Sequence, residues 1–190
     1  MMPFSSERVA KVIAACETFI ADKDDAWSLS RPAAMFIYQI SLLKGARNIL
    51  EIGTSYGHSG LFLADAALRN QGRFTTVDKD LRKVDIARKF FADAGLDTVA
   101  TVIPGTAPEV LQQAPDGIDL LFIDATKTQQ DAYLDTLWPR LTTHAVIITD
   151  NATNSQEKMA PFLRRLRADA RLISNLVPIG NGMELTLRMK

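Results

Sequence analysis

The sequence has one cysteine, no long apolar segment and no excess of charge of either sign. Cys16 cannot form an intramolecular disulfide, which suits a reducing compartment. No apolar run approaches the length of a membrane span, and residues 1–7 lack the basic and apolar regions of a signal peptide. We therefore expect a cytoplasmic protein with no membrane partner.

The charge balance gives no reason to expect a nucleic-acid partner. Lys and Arg total 22, Asp and Glu also total 22, and the formal net charge is zero. A nucleic-acid surface would need a clustered basic excess. With 190 residues, 47% of them hydrophobic, the chain suits one globular domain with a sizeable core.

Apolar residues recur at helical spacing in the N-terminal region and predict two helices. The first carries Cys16 on its apolar face, and the second runs from the candidate N-cap Ser30 to about Leu43. From residue 48 onward, strands alternate with helices. The predicted strands are 48–52, 74–77, 99–103, 118–123 and 145–149, and the predicted helices are 59–68, 81–94, 108–113, 130–141 and 156–168.

This alternation predicts an α/β fold with a single Rossmann-like, doubly wound and mostly parallel sheet that has helices on both faces. Residues 172–177 and 183–188 predict a C-terminal antiparallel hairpin. We divide the single domain into N-terminal helices, 1–45, as a substrate and dimer region, and a cofactor-binding core, 46–190.

A glycine-containing loop follows the first predicted strand. Gly53 and Gly57 lie between that strand and the next helix, where glycine lets a ligand approach the backbone and the helix N-terminus offers free N–H groups. Asp78 ends the second strand, where a carboxylate can accept hydrogen bonds from both ribose hydroxyls. A dinucleotide fingerprint would require glycine at Ser55. The pattern therefore predicts a nucleoside-bearing cofactor.

Oxygen-bearing side chains end two further strands. Asp124 follows 118–123, with Lys127 three residues later, and the pair Asp150–Asn151 follows 145–149. Open α/β sheets bind ligands at the carboxyl ends of their strands, and carboxylate and amide oxygens suit Mg²⁺ or Mn²⁺. We therefore predict a metal site formed by Asp124, Asp150 and Asn151. An Asp at a strand end is common without any metal, and capping of the following turn is the alternative for the Asp150–Asn151 pair.

These segments together resemble the cation-dependent O-methyltransferases that include catechol and caffeoyl-CoA O-methyltransferases. The loop 51–59, the strand end 77–78, the turn 104–107, the segments 122–127 and 149–151, and the Gly180–Gly182 turn occur in the family's order. The resemblance covers the chain from Pro32 onward. It implies a class I methyltransferase that uses S-adenosylmethionine and transfers a methyl group to a catechol or other phenolic hydroxyl of a small molecule.

The resemblance also implies a role for each matching residue. Lys127 would be the catalytic base or an orienting charge, and Asp124 would act in both catalysis and metal binding. The implied cofactor-binding residues are Glu51, Gly53, Thr54, Gly57, Ser59, Asp78, Thr106 and Ala107. A homodimer is expected because the family usually forms one, and because the first helix offers an apolar face. Trp27 is assigned to core packing in preference to the substrate mouth.

The sequence leaves three alternatives. A metal-independent methyltransferase would keep the loop and Asp78 but would not use Asp150 and Asn151. A nicotinamide-dependent oxidoreductase is disfavoured by Ser55 and by the absence of a Tyr-x-x-x-Lys pair. A non-catalytic cofactor-binding module is disfavoured because Asp124, Lys127 and the Asp150–Asn151 pair occur together.

Overall fold

In the computed structural model, which describes residues 3–190, the chain forms one seven-stranded sheet flanked by helices. The strands are β1 (Asn48–Ile52), β2 (Arg73–Asp78), β3 (Ala100–Pro104), β4 (Ile118–Ile123), β5 (Leu141–Thr149), β6 (Leu172–Val177) and β7 (Met183–Arg188). The α-helices are α1 (Glu7–Ala21), α2 (Arg31–Lys44), α3 (His58–Arg69), α4 (Leu81–Ala94), α5 (Gln130–Leu137) and α6 (Gln156–Ala168). Short 3-10 helices occupy Glu109–Gln113, Lys127–Gln129 and Trp138–Arg140.

The strand order is β3-β2-β1-β4-β5-β7-β6. The first five strands in that order are parallel, β7 is antiparallel to β5, and β6 is antiparallel to β7. The predicted doubly wound sheet and C-terminal hairpin are therefore confirmed. The strand order reverses between β1 and β4, which is where open α/β sheets bind their ligands.

The core has two layers, one on each face of the sheet. Helices α1 to α4 pack on one face, and α5, α6 and the first 3-10 helix pack on the other. The alternation of side chains along β1 explains this arrangement, since Ile49 belongs to the first layer while Leu50 and Ile52 belong to the second.

The N-terminal helices have the boundaries that their caps predict. The Ser30 side chain accepts a hydrogen bond from Ala33 N–H at the start of α2, and Gly45 ends that helix with a φ of +64°. Cys16 is fully buried beside Val9 and Ile13, so the apolar face of α1 is covered within the domain itself. That face therefore gives no reason to expect a dimer.

The predicted helix 130–141 is too long. The α-helix ends at Leu137, and the 3-10 helix Trp138–Arg140 leads directly into β5 at Leu141. Pro139 accounts for the change, because its ring and missing N–H do not fit the interior of an α-helix. The strand β5 accordingly begins at Leu141, before the predicted start at Ala145.

Within residues 3–190, no helix combines the length and the apolar content that crossing a membrane would require.

Candidate active site

The loop Gly53–Gly57 joins β1 to α3 at the point where the strand order reverses. Gly53 has a φ of +105° and Gly57 a φ of +87°, conformations that side chains rarely adopt. A Cβ added at Gly53 would lie 2.0 Å from the backbone oxygen of Asp124. Glycine at position 53 therefore lets the loop Gly53–Gly57, the cofactor loop, pack directly on the end of β4, where the predicted catalytic segment begins.

The N-terminus of α3 faces this loop with its first amides available. Gly57 is the N-cap and, in the part of the chain that the structure describes, no side chain caps this helix. The first N–H groups of a helix have no partner within the helix, and their positive end favours an anionic group. This end of α3 can therefore receive a carboxylate or phosphate group of a ligand.

Glu51 lies fully buried beneath the loop, in a network of hydroxyl groups. Ser59 Oγ donates to Glu51 Oε1 at 2.5 Å, and Thr76 Oγ1 donates to Oε2 at 2.6 Å. Thr54 Oγ1 lies 2.6 Å from Thr76 Oγ1. Burial raises the pKa of Glu51 to about 8, against the lowering effect of both donated hydrogen bonds.

The network thus brings together three predicted cofactor residues, Glu51, Thr54 and Ser59. Sequence reasoning missed Thr76, which pairs with Glu51 in the register of β1 and β2. The sequence of β2 contains two adjacent threonines, and only the strand register shows that Thr76 is the one opposite Glu51.

Asp78 ends β2 beside the same loop. Its carboxylate accepts hydrogen bonds from the backbone N–H of Ser55 at 2.8 Å and of Asp80 at 2.9 Å. Gly105 N–H donates to the backbone oxygen of Asp78 at 2.9 Å, which brings the turn with Thr106 and Ala107 next to this strand end. Thr106 also lines an open cleft with Gly105 and Glu109.

The predicted metal and catalytic residues lie at the neighbouring ends of β4 and β5. Ile123 pairs with Thr149, and Asp150 N–H donates to the backbone oxygen of Ile123 at 3.1 Å, so Asp124 and Asp150 follow adjacent strand ends. Lys127 Nζ lies 2.8 Å from Asp124 Oδ1. Asn151 follows with a φ of +67°, a left-handed conformation that asparagine tolerates better than most residues.

Asp150 is buried, and its Oδ1 atom has no hydrogen-bond partner among residues 3–190. Burial is the main cause that raises the pKa of Asp150 to about 6, and the charge of Asp124 is the next. The hydrogen bond from the backbone N–H of Asn151 and the positive charge of Lys127 lower it. Two acids and an asparagine form the predicted metal site. In the described range 3–190, no group of three or more His, Cys, Asp or Glu side chains could hold a metal ion.

The C-terminal hairpin adjoins this segment. The turn between β6 and β7 accepts two backbone hydrogen bonds from the chain after Asn151, from Ala152 N–H to Gly182 O at 2.9 Å and from Thr153 N–H to Asn181 O at 3.0 Å. The hairpin therefore fixes the backbone that carries Asp150 and Asn151.

The α1–α2 loop, residues 22–30, covers the other side of the cofactor loop. Ser55 Oγ donates to Ala26 O at 2.7 Å, and Tyr56 Oη donates to Asp25 Oδ1 at 2.9 Å. Trp27 is 84% exposed, so its assignment to the core is wrong. Its indole lies over the Lys83 ammonium, outside the core. Spacing along the sequence could not predict these contacts, because the loop has no periodic pattern.

Comparison with known proteins identifies the family. The family description "Methyltransferase domain" matches residues 50–152, a range that contains every predicted site residue. A probable O-methyltransferase of Mycobacterium tuberculosis is 33% identical over 163 residues, which cover 78% of this chain and 72% of that protein. The chain belongs to the O-methyltransferase family.

Solved structures agree with this O-methyltransferase assignment. The O-methyltransferase of Bacillus cereus, in complex with SAH, is 25% identical, with a TM-score of 0.82 over 99% of this chain and 93% of that one. TomG of Streptomyces achromogenes, an O-methyltransferase of tomaymycin synthesis in complex with SAM, is 24% identical, with a TM-score of 0.82 over 97% and 91%. The latter likeness is one of fold.

The prediction of an S-adenosylmethionine-dependent O-methyltransferase is therefore confirmed at the level of the family. The nicotinamide-dependent and non-catalytic alternatives find no support in these comparisons.

Proposed function

We propose that this O-methyltransferase transfers the methyl group of S-adenosylmethionine to a catechol or other phenolic hydroxyl of a small molecule, with a divalent cation bound by Asp124, Asp150 and Asn151. The observation that carries the proposal is the Oδ1 atom of Asp150. It is buried and without a hydrogen-bond partner among the described residues, at a strand end next to Asp124. A buried carboxylate oxygen of this kind is costly unless a proton, a cation or a water molecule satisfies it, and a cation also balances the charge of the neighbouring Asp124.

The cofactor would lie on the loop Gly53–Gly57. Its amino-acid carboxylate fits the free N-terminus of α3, and its ribose hydroxyls fit the Asp78 carboxylate. We assign Glu51, Thr54, Ser59, Thr106 and Ala107 to the same cofactor pocket. S-adenosylmethionine supplies the electrophilic methyl group, and the protein has to hold the acceptor oxygen in line with the departing sulfur. Such positioning can supply roughly 7–11 kcal/mol of the barrier.

The donors at the ends of β4 and β5 fit Mg²⁺ or Mn²⁺. All three are oxygen ligands, which hard cations prefer, and Asp150 is held by the backbone bond to β4. A divalent cation there would favour loss of the proton from a phenolic hydroxyl, which is mostly protonated at neutral pH. Lys127 would take that proton if its amine is neutral, or, as the ammonium paired with Asp124, it would stabilise the resulting oxyanion with its charge.

Metal-independent methyl transfer is the second candidate. The ion pair between Lys127 and Asp124 favours it, because the lysine already balances one of the two acids. Lys127 alone would then stabilise the acceptor oxyanion. The two candidates differ in their response to a chelator and to replacement of Asp150.

The test combines turnover with thermal stability. With S-adenosylmethionine and catechol as probes, we expect turnover that is lost in EDTA and restored by excess Mg²⁺. We also expect Mg²⁺ to raise the melting temperature of the wild type but not of Asp150→Asn, because ligand binding stabilises only the state that binds it. Asp85→Asn, an exposed site on α4, is the matched control. Full turnover in EDTA would support the metal-independent candidate.

We also propose that the protein forms a homodimer and that its methyl acceptor is a small molecule, with no nucleic-acid or membrane partner. The basis for the dimer is the resemblance stated above.

A further inference from the structure

Contacts between the α1–α2 loop and the rest of the protein converge on Lys83. Lys83 Nζ donates to Asp25 O at 2.5 Å and lies 3.7 Å from Asp25 Oδ2. The same ammonium lies 5.1 Å from the ring centroid of Tyr56 and 5.5 Å from that of Trp27. Two oxygen atoms of Asp25 and the rings of Trp27 and Tyr56 therefore surround one lysine of α4. Asp25 and Trp27 belong to the α1–α2 loop, and Tyr56 belongs to the cofactor loop.

Lys83 is buried, although lysine is rarely buried unless it is paired. It belongs to the first turn of α4, five residues after Asp78. Removing an ammonium from water is costly unless its hydrogen bonds are replaced. Asp25 provides that replacement, so the lysine and the loop fix each other's position.

The hydrogen bonds continue from this loop into the cofactor site. Ser55 Oγ donates to Ala26 O at 2.7 Å, while the N–H of the same Ser55 donates to Asp78 Oδ2 at 2.8 Å. Tyr56 Oη donates to Asp25 Oδ1 at 2.9 Å. A displacement of the α1–α2 loop would therefore move Ser55 and release one of the hydrogen bonds that orient Asp78.

Trp27 provides an independent sign that the loop is held in place. Its φ of +40° is unfavourable for a bulky side chain, and its indole is 84% exposed, so core packing does not impose that conformation. Unfavourable backbone conformations persist where surrounding contacts enforce them. The Lys83 ammonium under the Trp27 ring and the Asp25 hydrogen bonds supply those contacts.

We propose that Lys83 is a positioning residue of the methyl-transfer site. It clamps the α1–α2 loop onto the cofactor loop and thereby keeps Ser55 and Asp78 in the arrangement that binds the cofactor. The inference rests on the proposed function for the identity of the ligand, S-adenosylmethionine. The clamp itself is a property of the protein without ligand.

The test measures loop protection and cofactor affinity separately, in the absence of acceptor. Hydrogen exchange measures how well the backbone amides of the loop are protected, and calorimetry measures the affinity for S-adenosylmethionine. Both measurements are made on the wild type, Lys83→Met, Lys83→Arg and Lys89→Met. For Lys83→Met we expect exchange in 22–30 and 53–57 to be faster, and cofactor affinity to be weaker, each by about tenfold, as for one lost charged hydrogen bond. Lys83→Arg should restore part of both effects.

Lys89→Met is the matched control, because it removes the charge of an exposed lysine from the same helix. It should exchange and bind as the wild type does. Faster exchange throughout the molecule of Lys83→Met, with no concentration in 22–30 and 53–57, would indicate a general loss of stability and would overturn the proposal. Unchanged exchange and affinity would overturn it as well.

Failure of the clamp and failure of the proposed function give different results. A wild type that does not bind S-adenosylmethionine refutes the proposed function, while the exchange comparison still tests the clamp. If Lys83→Met does not fold, Tyr56→Phe decides, since it removes a single hydrogen bond to Asp25. Faster exchange confined to 22–30 in that variant supports the clamp, and wild-type exchange contradicts it.

Discussion

Lys127 and Asp124 form a salt bridge of 2.8 Å across three positions of the chain, at the point where β4 meets the 3-10 helix Lys127–Gln129. Both side chains are less than one-fifth exposed. The salt bridge holds the lysine amine at the end of β4, next to the end of β5 that carries Asp150, at the edge of the sheet where the cofactor loop lies. A cation in this position can stabilise negative charge that develops on an acceptor oxygen.

Replacement of Lys127 with Met should therefore reduce turnover and leave cofactor binding nearly unchanged. Methionine keeps much of the length of the side chain and removes the amine. We expect the turnover number to fall by about 10²–10⁴, the range for a lost general base. Steady-state kinetics on an acceptor verified with the wild type, together with calorimetry of S-adenosylmethionine, measures both quantities.

Lys158→Met, at an exposed site on α6, controls for the loss of one positive charge. Near-normal turnover in Lys127→Met would mean that the salt bridge with Asp124 is structural, and that the base lies elsewhere.

Asp78→Ala should weaken binding of S-adenosylmethionine. The carboxylate accepts hydrogen bonds from Ser55 and Asp80 and is proposed to accept two more from the ribose. Each charged hydrogen bond contributes about 1.5–3 kcal/mol, so we expect the dissociation constant to rise by a factor of about 10–150 for each one lost. Calorimetry measures the change, with the exposed Asp85→Ala as the control. Wild-type affinity in Asp78→Ala would remove the residue from the cofactor site.

Much of the fold was predictable because its signals are local. Ser30 and Gly45 bound α2 through side-chain capping and a left-handed backbone, and both signals can be read from the residues themselves. The parallel strands are short runs of β-branched and aliphatic residues between helical patterns. The error at 130–141 arose because helical spacing continued through Pro139, whose effect on the backbone decided the end of α5.

The positions of the candidate site residues could be predicted where they lie at a strand end or in the glycine-containing loop after β1. Asp78, Asp124 and Asp150 follow apolar runs, so the topology of a doubly wound sheet brings them to one edge. Thr76 and Lys83 gave no such signal. Thr76 reaches Glu51 through strand register, and Lys83 reaches Asp25 across a separation of 58 residues. Both contacts depend on how separate elements pair or pack together, and local sequence patterns do not determine that arrangement.

The oligomeric state is predicted to be a homodimer on the basis of the family resemblance alone. The apolar residues Val9, Ile13 and Cys16 of α1 are buried inside the domain. Another surface would therefore have to form the dimer interface. Light scattering at micromolar concentration should give twice the mass of the chain, which is 21.0 kDa. A monomeric mass across that concentration range would contradict the prediction.

Glu51 should make the stability of the protein without ligand decrease as the pH rises. Burial raises its pKa from the ordinary value of 4.5 to about 8, so the folded protein holds a proton that the unfolded chain has released at neutral pH. The stabilisation due to Glu51 is complete below about 4.5 and is lost as the pH rises through about 8. Glutamine resembles the protonated acid and cannot ionise.

We therefore expect Glu51→Gln to have nearly the melting temperature of the wild type at pH 5 and a higher one at pH 8.5, with the difference growing between those values. Melting curves of both proteins across this range measure the difference, in which contributions shared by both proteins, such as that of Asp150, cancel. Bound S-adenosylmethionine carries positive charge and favours the ionised acid, so saturating cofactor should reduce the difference at pH 8.5. Parallel melting profiles without ligand would show that Glu51 is already ionised among the hydroxyl groups of Ser59 and Thr76.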